Sequence, residues 1–319
     1  MLYVTGGKQR TRKLDEWHRF EKAALVAVDT ESGKLSTVIE FVSRPEACPD
    51  EDPSILFKAA SVVGTEVCLC TSTEILLYDT PGFRQTGYIS IPGFNDLHHA
   101  WPQPDSNLLV ANTGLDLVLE VTRQGEVRNE WSVIDEQPWA RFDRAIDYRK
   151  VATTKPHSSH PNYVFGIDGE IWVTRFYQKD AVSLHHPERR IEFGRTPHDG
   201  QAHGGKLYFT SIDGYAFVVD QLTLAIEETI NLNALDESDV PLGWCRGVLP
   251  VGEGKCWVGF TKIRPTTLKE NLTWLSKKLT NEMLRTSRVV LYDFARRAKL
   301  REINLEPAGL NAVFSMFEL

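Results

Sequence analysis

No apolar run in this sequence approaches the ~20 residues that a membrane-spanning helix requires, so no membrane partner is expected. The N-terminus is not expected to act as a signal peptide. In "MLYVTGGKQRTRK" the apolar residues precede the basic ones, the reverse of a signal peptide, and no long apolar stretch follows. Cysteine is scarce, odd in number and never spaced as Cys-x-x-Cys. Cys48, Cys68, Cys70, Cys245 and Cys256 therefore indicate neither a disulfide framework nor a thiolate zinc site. They read as buried thiols that pack like small apolar side chains, in a reducing, cytoplasmic compartment. Positive charge is also short: 36 Lys and Arg stand against 43 Asp and Glu, a net charge of −7. Bulk charge thus gives no support to a nucleic-acid surface.

What the chain does have is repetition. An apolar strand ending in Asp or a small polar residue, a turn and a second strand recur as "ALVAVDTESGKLSTVIEF", "EILLYDTPGFRQTGYISI", "LVLEVTRQGEVRNEW", "AVSLHHPERRIEF", "AFVVDQLTLAIEETI" and "RVVLYDFARRAKLREI". Each is a period-two hairpin. A second pair of short strands precedes most copies, as in "HPNYVFGIDGEIWVTRF" and "CRGVLPVGEGKCWVGFT". Four short strands per unit of about 40–50 residues is the pattern of a β-propeller blade.

The chain ends complete the count. The first hairpin has only "MLYVTG" before it, and "LNAVFSMFEL" at the C-terminus is an inner strand without a partner. Joined, they supply one more strand pair and leave no exposed sheet edge. Residues 1–319 therefore read as one all-β domain, a six-bladed β-propeller with four-stranded blades closed by its N- and C-terminal strands. Two insertions break the rhythm. Residues 264–287 space Leu268, Leu272, Leu275 and Leu279 as on a helix, which lies over one face as a lid or as packing. Residues 134–157 mix aromatics with arginines in a long connection between blades.

Histidine is concentrated. Six of the nine fall in "NDLHHAW", "KPHSSHPNYVF" and "TPHDGQAHGG", where three consecutive inner strands begin. Nine positions before the second strands stand Lys58, His99, Asn162, His198 and Gly247, with His160 and Arg246 close by and Asn311 in the closing strand. These positions ring the mouth of the central channel. His99, His160 and His198 are expected to ligate a divalent transition metal (zinc, iron, copper or manganese), with His98 or His157 as substitutes. A single histidine at a strand start more often satisfies backbone groups, and His203, His185, His186 and His18 read as turn or surface residues. Asp96 and Asp199 stand where they orient the imidazoles. With Arg246 they are the candidate catalytic groups. Lys58, Arg175, Trp244, Asn162 and Asn311 are the candidates to hold substrate, and the cations suit a small anionic molecule. Cys245 is weighed as a nucleophile, a role that needs a base to lower its pKa. Neutral imidazole binds metal, so occupancy is expected to fall below a pH of about 6.5.

The blade rhythm, over nearly the whole chain, resembles the gluconolactonase (SMP-30) and streptogramin-lyase-like propellers and, more loosely, the NHL-repeat propellers. Gluconolactonase-type enzymes hold a divalent metal in the channel through carboxylates and asparagine. The histidines here turn the implied preference away from calcium. Streptogramin lyases place a histidine at the mouth with magnesium and acidic residues, and "HPN" and "HDG" are similar in placement. The resemblance implies a metal-dependent enzyme, a hydrolase, lyase or oxidoreductase. The alternative is a propeller without catalysis that serves as a protein- or glycan-binding platform.

Overall fold

Strands form where apolar and polar residues alternate, and they stop at Gly, Asp and Asn turns. The computed structural model of the chain describes residues 1–11, 15–104, 106–236, 240–263 and 285–319. Its strands assemble as six four-stranded antiparallel sheets. Blade 2 contains β4–β7 (Ala59–Val63, Glu66–Cys70, Ile75–Asp79, Gln85–Ile89) and blade 3 contains β8–β11 (Leu97–Pro102, Leu108–Asn112, Leu117–Val121, Val127–Ser132). Blade 4 is β12–β15 (Pro161–Ile167, Glu170–Arg175, Asp180–Ser183, Arg190–Glu192). Blade 5 is β16–β19 (Pro197–His203, Lys206–Ser211, Tyr215–Asp220, Ile226–Asn231), and blade 6 is β20–β23 (Trp244–Pro250, Lys255–Thr261, Arg288–Asp293, Ala298–Asn304).

Blade 1 joins the two ends of the chain. Its order is β24 (Ala312–Glu318), β1 (Leu2–Gln9), β2 (Phe20–Val28), β3 (Leu35–Phe41). Leu2 pairs with Glu318, Val4 with Met316 and Gly7 with Ala312. The expected closure is therefore the observed one. Gly6 makes it possible: a Cβ there would lie 1.7 Å from the Ala312 carbonyl oxygen. Between blades the apolar faces pack against each other. Leu2, Val4, Val26 and Val28 of blade 1 meet Leu249, Trp257 and Val289 of blade 6 in one buried cluster.

The insertion read as helical, 264–287, lies outside the described residues except for its last three, which lead into β22 without helix. It does sit between the second and third strands of blade 6. The other insertion is a strap pinned by ion pairs, among them Arg144 with Glu130 and Arg141 with Asp116. Among the described residues no helix is long and apolar enough to cross a membrane.

One irregularity repeats and places the site. Five of the six inner strands carry a β-bulge near the same end, as the registers of blades 1, 3, 4, 5 and 6 show. A bulge leaves residues unpaired and re-aims their side chains. The residues so released are Phe314 and Ser315, His98, Asn162 and Tyr163, His198 and Asp199, and Arg246 and Gly247.

Candidate functional site at the channel mouth

Side chains from all six blades meet at the bulged end. His98 lies 4.8 Å, centroid to centroid, from His160 and 5.8 Å from His198. His198 lies 5.9 Å from Phe314, and the Arg246 guanidinium sits 4.0 Å above the same Phe314 ring. Lys58, just before β4, pairs with Asp96, just before β8. Asp96 and His160 both hold a left-handed backbone, φ 52 and 61, which a non-glycine residue adopts at a cost and which recurs at working sites.

The tightest group of metal-type donors among the described residues is Asp96, His157 and His160, whose ligand atoms lie within 4.8 Å of one another. Hydrogen bonds fix its tautomers. Thr154 Oγ1 donates to the Gly114 carbonyl, so it accepts from His157 Nε2 at 3.3 Å. His157 Nδ1 then carries a lone pair that faces His160 Nδ1 at 2.7 Å, a contact that a bound ion would replace, while His160 Nε2 keeps a free lone pair. His98 donates through Nδ1 to the Asp96 carbonyl at 2.8 Å, and its Nε2 also stays free. Two imidazoles and a carboxylate are a donor set that suits transition metals.

His99 stands apart from this group. It bridges two neighbouring blades, with Nε2 3.0 Å from Ser61 Oγ and Nδ1 accepting from the Val164 amide at 3.3 Å. Its one lone pair is taken by a backbone amide of the neighbouring blade, and it is not among the donors that converge. The ring position in blade 3 belongs to His98. Counting back nine misses it by one because blades 3 and 6 have longer turns, Gln103–Asn107 and Val251–Gly254, than the two-residue turns of blades 4 and 5. The same slip yields Gly247 where Arg246 stands. His198 is at the mouth but outside the Asp96–His157–His160 group.

The remaining candidates separate clearly. Asn162 is buried, donates to the Pro197 carbonyl at 3.2 Å and leaves Oδ1 without a partner. Trp244 opens β20, half-buried, opposite Thr261. Asn311 accepts from the Gln9 amide at 2.9 Å and belongs to the ring closure; Phe314 takes the mouth position in that blade. Arg175 is away from the mouth, held by Asp180 through two bonds of 2.9 and 2.6 Å and donating to the Val133 carbonyl. Cys245 is fully buried, and burial pushes its thiol well up, which makes it inert as a nucleophile.

No protein-family model matches the chain. No curated protein matches it. Among solved structures, a protein of unknown function from Bacteroides caccae is similar with a TM-score of 0.61 and 16% identity, over 99% of this chain and 97% of that one. Streptogramin B lyase gives a TM-score of 0.49 and 11% identity, over 95% and 98%. Virginiamycin B lyase from Staphylococcus aureus gives 0.48 and 9%, over 100% and 99%. At these identities the likeness is one of fold, and the chemistry rests on this chain's own residues.

Those residues have strongly biased charge states. Burial first, and then Lys58, hold His98 well below the usual histidine range. Burial, then His157, takes His160 down to about 3. Burial, then Arg246, depresses His198 well below that range. Burial opposes the Asp96 anion, but the Lys58 ammonium beside it outweighs burial, so this carboxyl stays ionised. Asp199 is the exception. Its one hydrogen bond comes from the Gly200 amide at 3.0 Å, and burial pushes it up to about 7. The imidazoles are therefore neutral well below pH 6.5, and the expected fall in metal occupancy moves to lower pH.

Three residues of the site gave no sequence signal. Phe314 floors the Arg246 guanidinium. Glu16, half exposed on the β1–β2 connection, reaches Lys155 at 3.2 Å. Burial raises the Glu16 carboxyl, but Lys155 and then Arg246 bring it down to about 2. Asp116 is buried in the left-handed turn after β9 and accepts from the Ser158, Ser159 and His160 amides at 2.7, 3.0 and 2.7 Å, and from Arg141 at 2.7 Å. It thereby builds the turn that carries His157 and His160. Asp116→Ala is expected to cost at least about 3 kcal/mol, since each buried amide left unpaired costs about 1–3 kcal/mol. Denaturant titration checks this, and a loss under 1 kcal/mol would show that the turn holds without its carboxylate.

Proposed function

We propose that this protein is a metal-dependent enzyme whose site is the histidine-lined mouth of the propeller channel, and that it acts on a small anionic molecule by hydrolysis or elimination. The observation that carries this reading is the convergence of Asp96, His157 and His160 within 4.8 Å, beside the free Nε2 of His98. These residues would hold the ion, and the donor set suits zinc, iron, copper or manganese. When bound, such an ion acts as a Lewis acid or makes a bound water more acidic.

The chain's own residues supply the rest. Lys58 orients and neutralises Asp96. Thr154 and the Gly114 carbonyl fix the His157 tautomer, and Asp116 fixes the backbone beneath it. Asp199, poised near neutral pH, is suited to take up or release a proton. Arg246, over Phe314, gives the mouth positive charge toward an anion.

The test is metal analysis of protein purified without a histidine tag or chelator. About one transition-metal ion per chain is expected. His160→Ala is expected to weaken metal affinity by about a hundredfold or more and to abolish activity, while His185→Ala on the outer rim changes neither. A protein that takes up no transition metal at micromolar concentrations would rule out the metal reading. The mouth would then be a polar binding surface, and the platform reading would stand in its place.

A further inference from the structure

We infer that Arg246 and His198 together receive one carboxylate group of the substrate, which makes the substrate a small carboxylic acid and not a phosphate ester. The inference rests on the mouth being a substrate site and names what that site accepts. Three cations and two carboxylates converge there. Lys58 is paired with Asp96, and Lys155 with Glu16 at 3.2 Å. The third cation, Arg246, makes no ion pair among the described residues. Its Nε is buried without a partner, and its guanidinium carbon lies 4.0 Å from the Phe314 ring centroid.

His198 stands beside it and is equally unsatisfied. Its ring shares Phe314 with Arg246, at 5.9 Å, and it is only 7% exposed. Its Nδ1 is buried with no hydrogen-bond partner. Two buried, unpartnered nitrogens on neighbouring blades are costly unless a ligand satisfies them. A guanidinium fork matches the two in-plane oxygens of a carboxylate. Charge selects between acids: three positive groups against Asp96 and Glu16 leave one net positive charge, which Asp199 offsets where it is ionised. In either state a phosphate dianion leaves one more uncompensated negative charge beside Asp96 and Glu16 than a monocarboxylate does.

The probe is glycolate, with methyl phosphate as the competitor, titrated at pH 8 into protein stripped of metal with EDTA and followed by saturation-transfer NMR. The expected result is saturable glycolate binding that is about tenfold or more tighter than that of methyl phosphate. Arg246→Gln is expected to weaken glycolate about tenfold or more, and His198→Leu to weaken it several-fold. Arg246→Lys, which keeps the charge and loses the planar fork, falls between wild type and Arg246→Gln. This gives a second reading if Arg246→Gln does not fold. Absent glycolate binding, equal binding by Arg246→Lys and wild type, or tighter binding of methyl phosphate would overturn the inference. Because the titration is done without metal, a failure of the metal reading leaves it unmoved, and a failure here leaves the metal content of wild type unchanged.

Discussion

Deleting residues 310–319 is expected to abolish cooperative folding. The segment contributes β24, and with it the whole backbone pairing that joins blade 1 to the end of the chain. It also removes Leu310, Val313, Phe314, Met316 and Phe317 from the core, all buried. Each is worth about 1.5–3 kcal/mol on burial, so the loss is on the order of 10 kcal/mol. That is comparable with the ~5–15 kcal/mol that a whole domain has. The open ring would further expose β1 as an unpaired edge. Thermal melting followed by far-ultraviolet circular dichroism decides the matter: loss of the transition is expected, and an unchanged midpoint would mean that β24 is dispensable for the ring.

The second large effect is acid unfolding of the metal-free protein. His98, His99, His157, His160 and His198 all have pKa values depressed, first of all by burial, with His99 and His160 down to about 3. In the unfolded chain each titrates near 6.5. Below that pH the unfolded state takes up protons that the folded state refuses, so stability falls as pH falls. Each such histidine contributes about 1.4 kcal/mol per pH unit until its folded pKa is reached.

Asp199 works the other way. Its folded pKa of about 7 lies above an unfolded value near 3.9, so between these values the folded state holds the extra proton and gains stability as pH falls. Five groups opposed by one leave a net slope of roughly 5 kcal/mol per pH unit below pH 6. Urea titrations of EDTA-treated protein at pH 7.5, 6.0 and 5.0 are expected to show a steep loss, with unfolding within about two units below pH 6.5. Metal-loaded protein should survive to lower pH, because the ion binds only the folded state. Equal midpoints at pH 7.5 and 5.0 in the metal-free protein would show that the imidazoles are not buried neutral.

The fold was legible because a propeller repeats a local pattern. Period-two hairpins such as "AFVVDQLTLAIEETI" bury one face per strand whatever their neighbours do, and the orphan strands at the two ends could be matched by inspection. The site was legible by region: "NDLHHAW", "KPHSSHP" and "TPHDG" do meet at one mouth. Residue by residue it was not, because the turns after β8 and β20 are longer than those of the other blades and shift the count by one. That is why His98 and Arg246 stand where counting reached His99 and Gly247. Asp116 was hidden for a different reason. Its role lies in backbone amides forty residues away in sequence, and an Asp in "NTGLD" reads as a turn residue. Arg175 was over-read because its partner Asp180 sits across a hairpin turn, where the pair holds the blade together and is spent.

The measurement closest to the central claim is an anomalous-difference map from crystals of the protein, collected at the absorption edge of the metal found by elemental analysis. The account predicts one peak per chain at the channel mouth, within about 2.0–2.2 Å of an Asp96 oxygen and of nitrogens of His157 and His160. A peak elsewhere, or none in protein equilibrated with that metal, would contradict it.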